Sequence, residues 1–195
     1  SDRIFLRSDD GNHGLEIWAH DPSGNHSYLV KDIFLGLGTS NPTNQFLWRD
    51  TLYFLAQSTA GEAQLWRSDG TRIGTYPIKD SDGALKQFAG AKHFASDNNR
   101  IYFVGDDGTH GYELWTSDGT GTGTSMVKDI HPPEVKIGTT FPVTPFRNIA
   151  LFRAASTAGP GELWSTDGTA DGTYRIEVTG LHVEGFQGSY IALRD

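Results

Sequence analysis

The sequence predicts an all-β fold: a four-bladed β-propeller of four ~49-residue repeats, closed into a ring by its N- and C-terminal strands. Three observations lead there. A tryptophan recurs at Trp18, Trp66, Trp115 and Trp164, with gaps of 48, 49 and 49 residues. Three of the four lie in near-copies of one phrase: QLWRSDGTRIGT from Gln64, ELWTSDGTGTGT from Glu113 and ELWSTDGTADGT from Glu162. A degenerate copy, EIWAHDPSGNHS, starts at Glu16. The period also closes on itself. From Trp164 through the C-terminus and round to Trp18 is another 49 steps, and the tail GSYIALRD followed by SDRIFLRSDDG reads in register with GAKHFASDNNRIYFVGDDG from Gly90. A window cut from a longer repeat array is the alternative to a closed ring. On the ring reading, residues 1–195 form one domain, and its last blade is shared between the two ends.

The third repeat shows the elements most clearly. Residues 92–97 read as a strand, Asn98-Asn99 as a turn and residues 100–105 as a second strand. The loop Asp106 to Gly111 is rich in turn formers. Residues 112–117 form a third strand, and a tight DGTGTGT connection leads to a fourth at 125–130. Four short antiparallel strands in about 49 residues is the size of a propeller blade. The second strands of the other repeats are carried by Ile4–Leu6, Leu52–Phe54 and Ala150–Phe152. Segments such as 34–44 and 131–141 carry Pro and Gly and would cross from blade to blade.

Face-to-face stacking buries both faces of a middle strand, which explains apolar runs such as IYF and LW. The four tryptophans read as packing between blades, against the alternative of aromatic platforms for sugars. Aspartate can bond amides a residue or two ahead, and glycine supplies positive φ. Asp69, Asp118 and Asp167, with Asp21 in the first copy, therefore read as turn-builders. Calcium binding competes with that reading, although one carboxylate per turn is thin for calcium. Glu16, Glu113 and Glu162 precede the tryptophans by two residues and share their face. Lys31, Lys79 and Lys128 on the fourth strands are their candidate partners. Gln64 stands at the same place in the second repeat, so a charge there is dispensable and a catalytic carboxylate is not expected.

Composition narrows the function. The net charge of -8 and the lack of a Lys/Arg cluster argue against nucleic acid or an anionic membrane as partner. No run of about 18 apolar residues, the length that spans a bilayer, occurs, so membrane insertion is not expected. With no cysteine there is no disulfide or thiolate metal site.

The phrase from Glu113 to Ile130, ELWTSDGTGTGTSMVKDI, resembles the ELWxxDGT repeat of bacterial proteins nearly letter for letter. The resemblance extends over all four repeats. It departs at Asp21-Pro22-Ser23-Gly24 in the first and at Glu177-Val178 in the fourth. It implies a repeat protein, secreted or at the cell surface, with no catalytic residue in the motif.

The repeats alternate. The first and third carry DDGNHG from Asp9 and DDGTHG from Asp106 between their second and third strands. The second and fourth carry STAGEA and STAGPG there. The chain is thus a doubled pair, with an offset of 97 residues. These loops would lie at the blade-crossing end, where propellers commonly bind ligands. Asp9, Asp10, His13, Asp106, Asp107 and His110 are therefore the candidate ligand residues. They could hold a divalent cation or hydrogen-bond a sugar hydroxyl; a purely structural hairpin loop is the alternative. No Ser/His/Asp or paired-carboxylate set stands apart from the repeats, so no enzyme is expected and no cofactor is required. The expectation is a non-enzymatic extracellular module that binds a glycan or protein surface. The alternative is a structural subunit that self-associates into an extracellular assembly or filament.

Overall fold

The computed structural model describes residues 3–61, 63–79, 87–130, 142–156 and 161–177. All regular structure among them is β, in four antiparallel sheets. The first holds β1 (Ile4–Ser8), β2 (Glu16–Asp21) and β3 (His26–Lys31). The second holds β4 (Thr43–Trp48), β5 (Thr51–Ala56), β6 (Gln64–Ser68) and β7 (Tyr76–Pro77). The third holds β8 (Ala89–Ser96), β9 (Ile101–Asp106), β10 (Tyr112–Ser117) and β11 (Ser125–Met126). The fourth holds β12 (Thr144–Phe146), β13 (Ile149–Ala154), β14 (Glu162–Thr166) and β15 (Tyr174–Arg175). Each sheet follows chain order, so every connection inside it is a hairpin. The expected tail strand Tyr190–Leu193 and the crossing segment 131–141 lie outside the described residues.

Backbone contacts divide the chain into two compact units, Ser1–Phe88 and Ala89–Asp195. Each unit holds two sheets. The core of the first unit joins Ile17, Ala19, Val30 and Ile33 to Leu52, Phe54, Ala56 and Trp66. The core of the second joins Tyr102, Leu114 and Val127 to Val143, Ala150, Phe152, Ala154 and Trp164. Alternate residues of β5 supply the first of these cores, while Tyr53 and Leu55 on its other face are buried too. Burial on both faces is what the apolar runs require.

Trp66, Trp115 and Trp164 are buried, with 4%, 6% and 9% of their surface exposed. Trp66 and Trp164 stack on Phe54 and Phe152 across the neighbouring strand. Trp18 is only half-buried, and its indole N–H has no hydrogen-bond partner.

Two strand lengths differ from the sequence expectation. β8 starts earlier, at Ala89, because register shifts on either side of Lys92 let the strand bend and continue. β11 ends at Met126 rather than at 130. Trp115 pairs with Met126, and the next amide, Val127, donates to Leu114 O at 2.8 Å. Ile78 and Ile176 make the same bond to Leu65 and Leu163. This local offset places Val127 and Ile78 in the interior, where each is 2% exposed, and it ends the ladder.

The Asp-Gly-Thr turns share one hydrogen-bond pattern. Asp118 Oδ1 accepts from the Thr120 amide at 2.8 Å and hydroxyl at 2.6 Å. The Gly123 amide donates to Thr120 Oγ1 at 3.0 Å, and the Thr124 hydroxyl donates back to Thr120 O. Gly119 takes φ +90. Asp69 and Asp167 make the equivalent bonds, and Asp21 bonds Ser23 and Gly24 in the degenerate copy. The second glycine of the phrase has a different reason. A Cβ on Gly123 would lie 2.0 Å from Asp118 Oδ1, so the carboxylate itself fills the side-chain space. Gly123→Ala should therefore cost about 1–3 kcal/mol by overpacking and should release the carboxylate. Gly121→Ala in the same turn serves as the control, and denaturant unfolding of both variants checks the difference.

The Glu–Lys pairs expected from sequence do not form for Glu16 or Glu162. Lys31 Nζ donates to Thr75 O, and Lys128 Nζ to Thr173 O at 2.9 Å. Both lysines thus reach past their own sheet to the Asp-Gly-Thr turn of the next. Arg3 Nη1 and Tyr28 Oη reach the first of these turns as well, at Asp69 O and Gly70 O. Carbonyls at a tight turn are strong acceptors left over by the ladder, and a long ammonium stem spans the gap between sheets.

Candidate functional site

The two Asp-Asp-Gly-x-His-Gly loops have one construction, once in each unit. In the first, Asp9 Oδ1 accepts from the Gly11 amide at 2.7 Å. Asp10 Oδ1 accepts from the amides of Asn12 and His13 at 2.9 and 3.0 Å. Asp10 Oδ2 then lies 2.8 Å from His13 Nδ1. In the second, Asp106 Oδ1 accepts from Gly108, Asp107 Oδ1 from Thr109 and His110, and Asp107 Oδ2 lies 2.9 Å from His110 Nδ1. Gly11 and Gly108 both take φ +83, which only glycine adopts without strain. Each loop is thus two successive Asx turns with a histidine folded back on the second aspartate. The Nδ1 edge of each imidazole is committed, which leaves the Nε2 edge among the polar groups each loop can offer a ligand.

The electrostatics follow from this. The Asn12 amide and then the His13 ring hold the Asp10 carboxyl below the usual carboxylate range. Burial opposes ionisation of Asp107, but the amide and ring of His110 outweigh it and its pKa is also lowered. The facing carboxylates raise both histidines. A raised histidine contributes stability that is complete below its unfolded-state pKa and is lost as pH rises through its folded one. The loops should therefore be tightest in mildly acidic solution and should loosen above neutrality. Two-dimensional NMR of the ring protons checks this: both histidines should titrate above the ordinary value of about 6.5, and Asp10→Asn should return His13 to it.

In the first unit the loop lies against the crossing segment 32–42. A Cβ on Gly14 would meet Gly38 O at 2.0 Å, and the Leu15 amide donates to Thr39 Oγ1. Glu16 organises the contact. Its Oε1 accepts from the amides of Phe34 and Ser40, and its Oε2 from the Ile33 amide and, at 2.6 Å, the Ser40 hydroxyl. Glu16 is fully buried, and burial raises its pKa against these donors. The segment exposes Leu35 and Leu37, at 80% and 78%. Sequence reasoning passed over these two leucines, although FLGLG with apolar residues between glycines is a signal that could have marked them.

The equivalent acceptors in the other pair of repeats build the second loop type. Gln64 Oε1 accepts from Ser58 N and Oγ, and Glu162 Oε2 from Ser156 N and Oγ. A neutral amide oxygen does the carboxylate's work here, which is why Gln64 is tolerated. Glu162 also meets Arg175 at 3.1 Å. Among the described residues no group of three or more His, Asp or Glu side chains is arranged to hold a metal ion. No helix there is long and apolar enough to cross a membrane.

No family model matches the chain, and no curated protein matches it. Solved structures do. One is the crystal structure of TolB from Acinetobacter baumannii, at 11% identity and a TM-score of 0.49, covering 92% of this chain and 41% of that one. Another is the crystal structure of the tricorn protease, at 15% identity and a TM-score of 0.30, covering 92% of this chain and 22% of that one. The chain spans less than half the length of either.

Proposed function

We propose that the chain is a four-bladed propeller of the ELWxxDGT-repeat type that binds a glycan or protein surface outside the bacterial cell, without catalysis. The observation that carries this reading is the twice-built Asp-Asp-Gly-x-His-Gly loop, one per unit, with its histidine's Nε2 edge uncommitted. Carboxylates tied into Asx turns are poor general bases, since their lone pairs are spent on backbone amides. They are good rigid supports for a ligand-facing imidazole. The exposed Leu35 and Leu37 beside the first loop add apolar contact area of the kind partner surfaces use. Two like loops on one rigid ring would raise avidity for a multivalent surface. On this reading the sheets close into a ring when the C-terminal tail adds a strand beside β1. Each of the other three sheets has a further strand at that edge: β4, β8 and β12.

A glycan-array screen followed by titration calorimetry tests the proposal. The best ligand should bind the parent protein and lose affinity about tenfold or more in a His13→Ala/His110→Ala double variant. An unchanged isotherm in the variant would move the site away from these loops.

A further inference from the structure

The outer edges of the four sheets differ. β7, β11 and β15 end their sheets with two paired residues each, whereas β3 ends the first with six, His26–Lys31. Taking register from the tryptophans, Leu29 stands where the other sheets have Pro77, Met126 and Arg175. Proline has no amide, and Pro77 fits because this position points its backbone away from the ladder. The bond to Leu65 O comes from Ile78 instead. Leu29 keeps an amide at the same outward position, and alternation along the strand puts the Ser27 backbone outward too. Among the described residues no strand pairs with β3 on that side. The tail, in the ring reading, takes the opposite edge of the sheet, beside β1.

The edge is unguarded where it is regular. The pairs from Asp21↔His26 to Trp18↔Leu29 run without interruption, and the register shift comes only beyond them, between Ile17 and Trp18. Lys31 is the one Lys, Arg, Asp or Glu in the strand; it stands at the end, and its ammonium is bonded to Thr75 O. His26 and Ser27 are exposed, and Leu29 is half-buried. Edge strands are kept from pairing by charges, prolines, bulges or short length, and β3 between His26 and Leu29 has none of these.

We infer that β3 is a dimerisation edge, at which two copies of the chain pair their β3 strands antiparallel about a twofold axis at Tyr28. That register sets Ser27 opposite Leu29 of the partner subunit on both sides of the axis, so each outward amide meets an outward carbonyl. It also sends the two Lys31 side chains to opposite ends, whereas a parallel pairing would put them side by side. The contact is isologous and therefore closed. With β3 used and the other outer edges two residues long, association stops at two copies. A foreign peptide is the weaker occupant. Strand addition draws its selectivity from side-chain pockets beside the edge, and His26 and Ser27 on this margin are exposed. The pairing does not depend on glycan binding, but it doubles the histidine loops on each particle.

Sedimentation equilibrium of the intact protein, with amide exchange followed by NMR, is the test. Each copy carries a net charge of -8, so both are run at about 0.15 M salt, which screens charges beyond about 8 Å. Two short strands make a small interface, so a weak dimer is expected, with a Kd on the order of 0.1 mM. Amide exchange at Ser27 and Leu29 should slow as concentration rises through that range. Ser27→Lys places like charges about 7–8 Å apart across the axis and should weaken pairing about tenfold or more. An equimolar mixture of Ser27→Lys and Ser27→Asp chains should pair at the parent's strength or better, which a folding defect in either variant would not allow. A protein monomeric at about 1 mM, pairing untouched by Ser27→Lys, or assembly beyond two copies would each overturn the inference. So would a dimer whose Ser27 and Leu29 amides exchange as they do in the monomer.

Discussion

Replacing Trp115 with alanine should cost about 3–5 kcal/mol, the range for a buried aromatic cut back to Cβ. The indole is 6% exposed, and its N–H donates to Gly105 O at 3.1 Å. It pairs in register with Phe103 on one side and Met126 on the other. Truncation removes contacts with both neighbours and leaves a buried carbonyl without its donor. Against a typical stability of about 5–15 kcal/mol this is a large fraction. Trp18→Ala is the internal contrast. Trp18 is half-buried and its indole N–H bonds nothing, so its loss should cost about 1–2 kcal/mol. Denaturant unfolding of both variants checks the difference. A Trp115→Ala protein that melts like the parent but loses its ligand would mean that the tryptophan ring serves recognition.

Glu16→Ala should be comparably severe, at about 3–5 kcal/mol. It would strip partners from three backbone amides and one hydroxyl in a buried place, each worth about 1–3 kcal/mol when orphaned, with part recovered by relaxation. Glu16→Gln should cost less than Glu16→Ala, since an amide oxygen can keep the bonds at one position as Gln64 does, but its NH2 would replace an oxygen that accepts from a backbone amide, so part of the loss remains. The carboxylate's raised pKa gives a further signature. A raised acid favours the folded state below its unfolded pKa, and that contribution fades as pH rises through the folded value. The stability gap between parent and Glu16→Gln should therefore shift in favour of the glutamine form as pH rises from about 4 to 7. Thermal melts across that range measure it.

Much of the architecture was legible because the repeats report on each other. The Trp spacing located four sheets, and the 97-residue offset marked the first and third repeats, and the second and fourth, as alike. β10 was read to the residue, since YELWTS is bounded by glycine and by the Asp-Gly-Thr turn. What failed was pairing across sheets. Opposite charges at repeating positions suggested Glu–Lys bridges, but a sequence period does not say which sheet a long side chain reaches. Lys31 and Lys128 instead found turn carbonyls of the next sheet, and Glu16 found backbone amides of the crossing segment. Local hydrogen bonds beat ion pairing here because the amides are already held nearby and would otherwise be buried unpaired. The histidine loops were located correctly by the alternation of repeats. That His13 and His110 fold back on Asp10 and Asp107 was not, because it depends on two successive Asx turns rather than on residue type.

In the proposed ring, the chain's own tail closes the first sheet. Amide hydrogen exchange and inter-strand NOEs at Tyr190–Leu193 test that most directly, on an isotope-labelled sample in solution. A closed ring gives slow exchange in this segment, NOEs from it to Ile4–Leu6, and the same NOEs when labelled chain is diluted into unlabelled chain. Fast exchange throughout the segment, or NOEs that arise only between labelled and unlabelled chains, would contradict it.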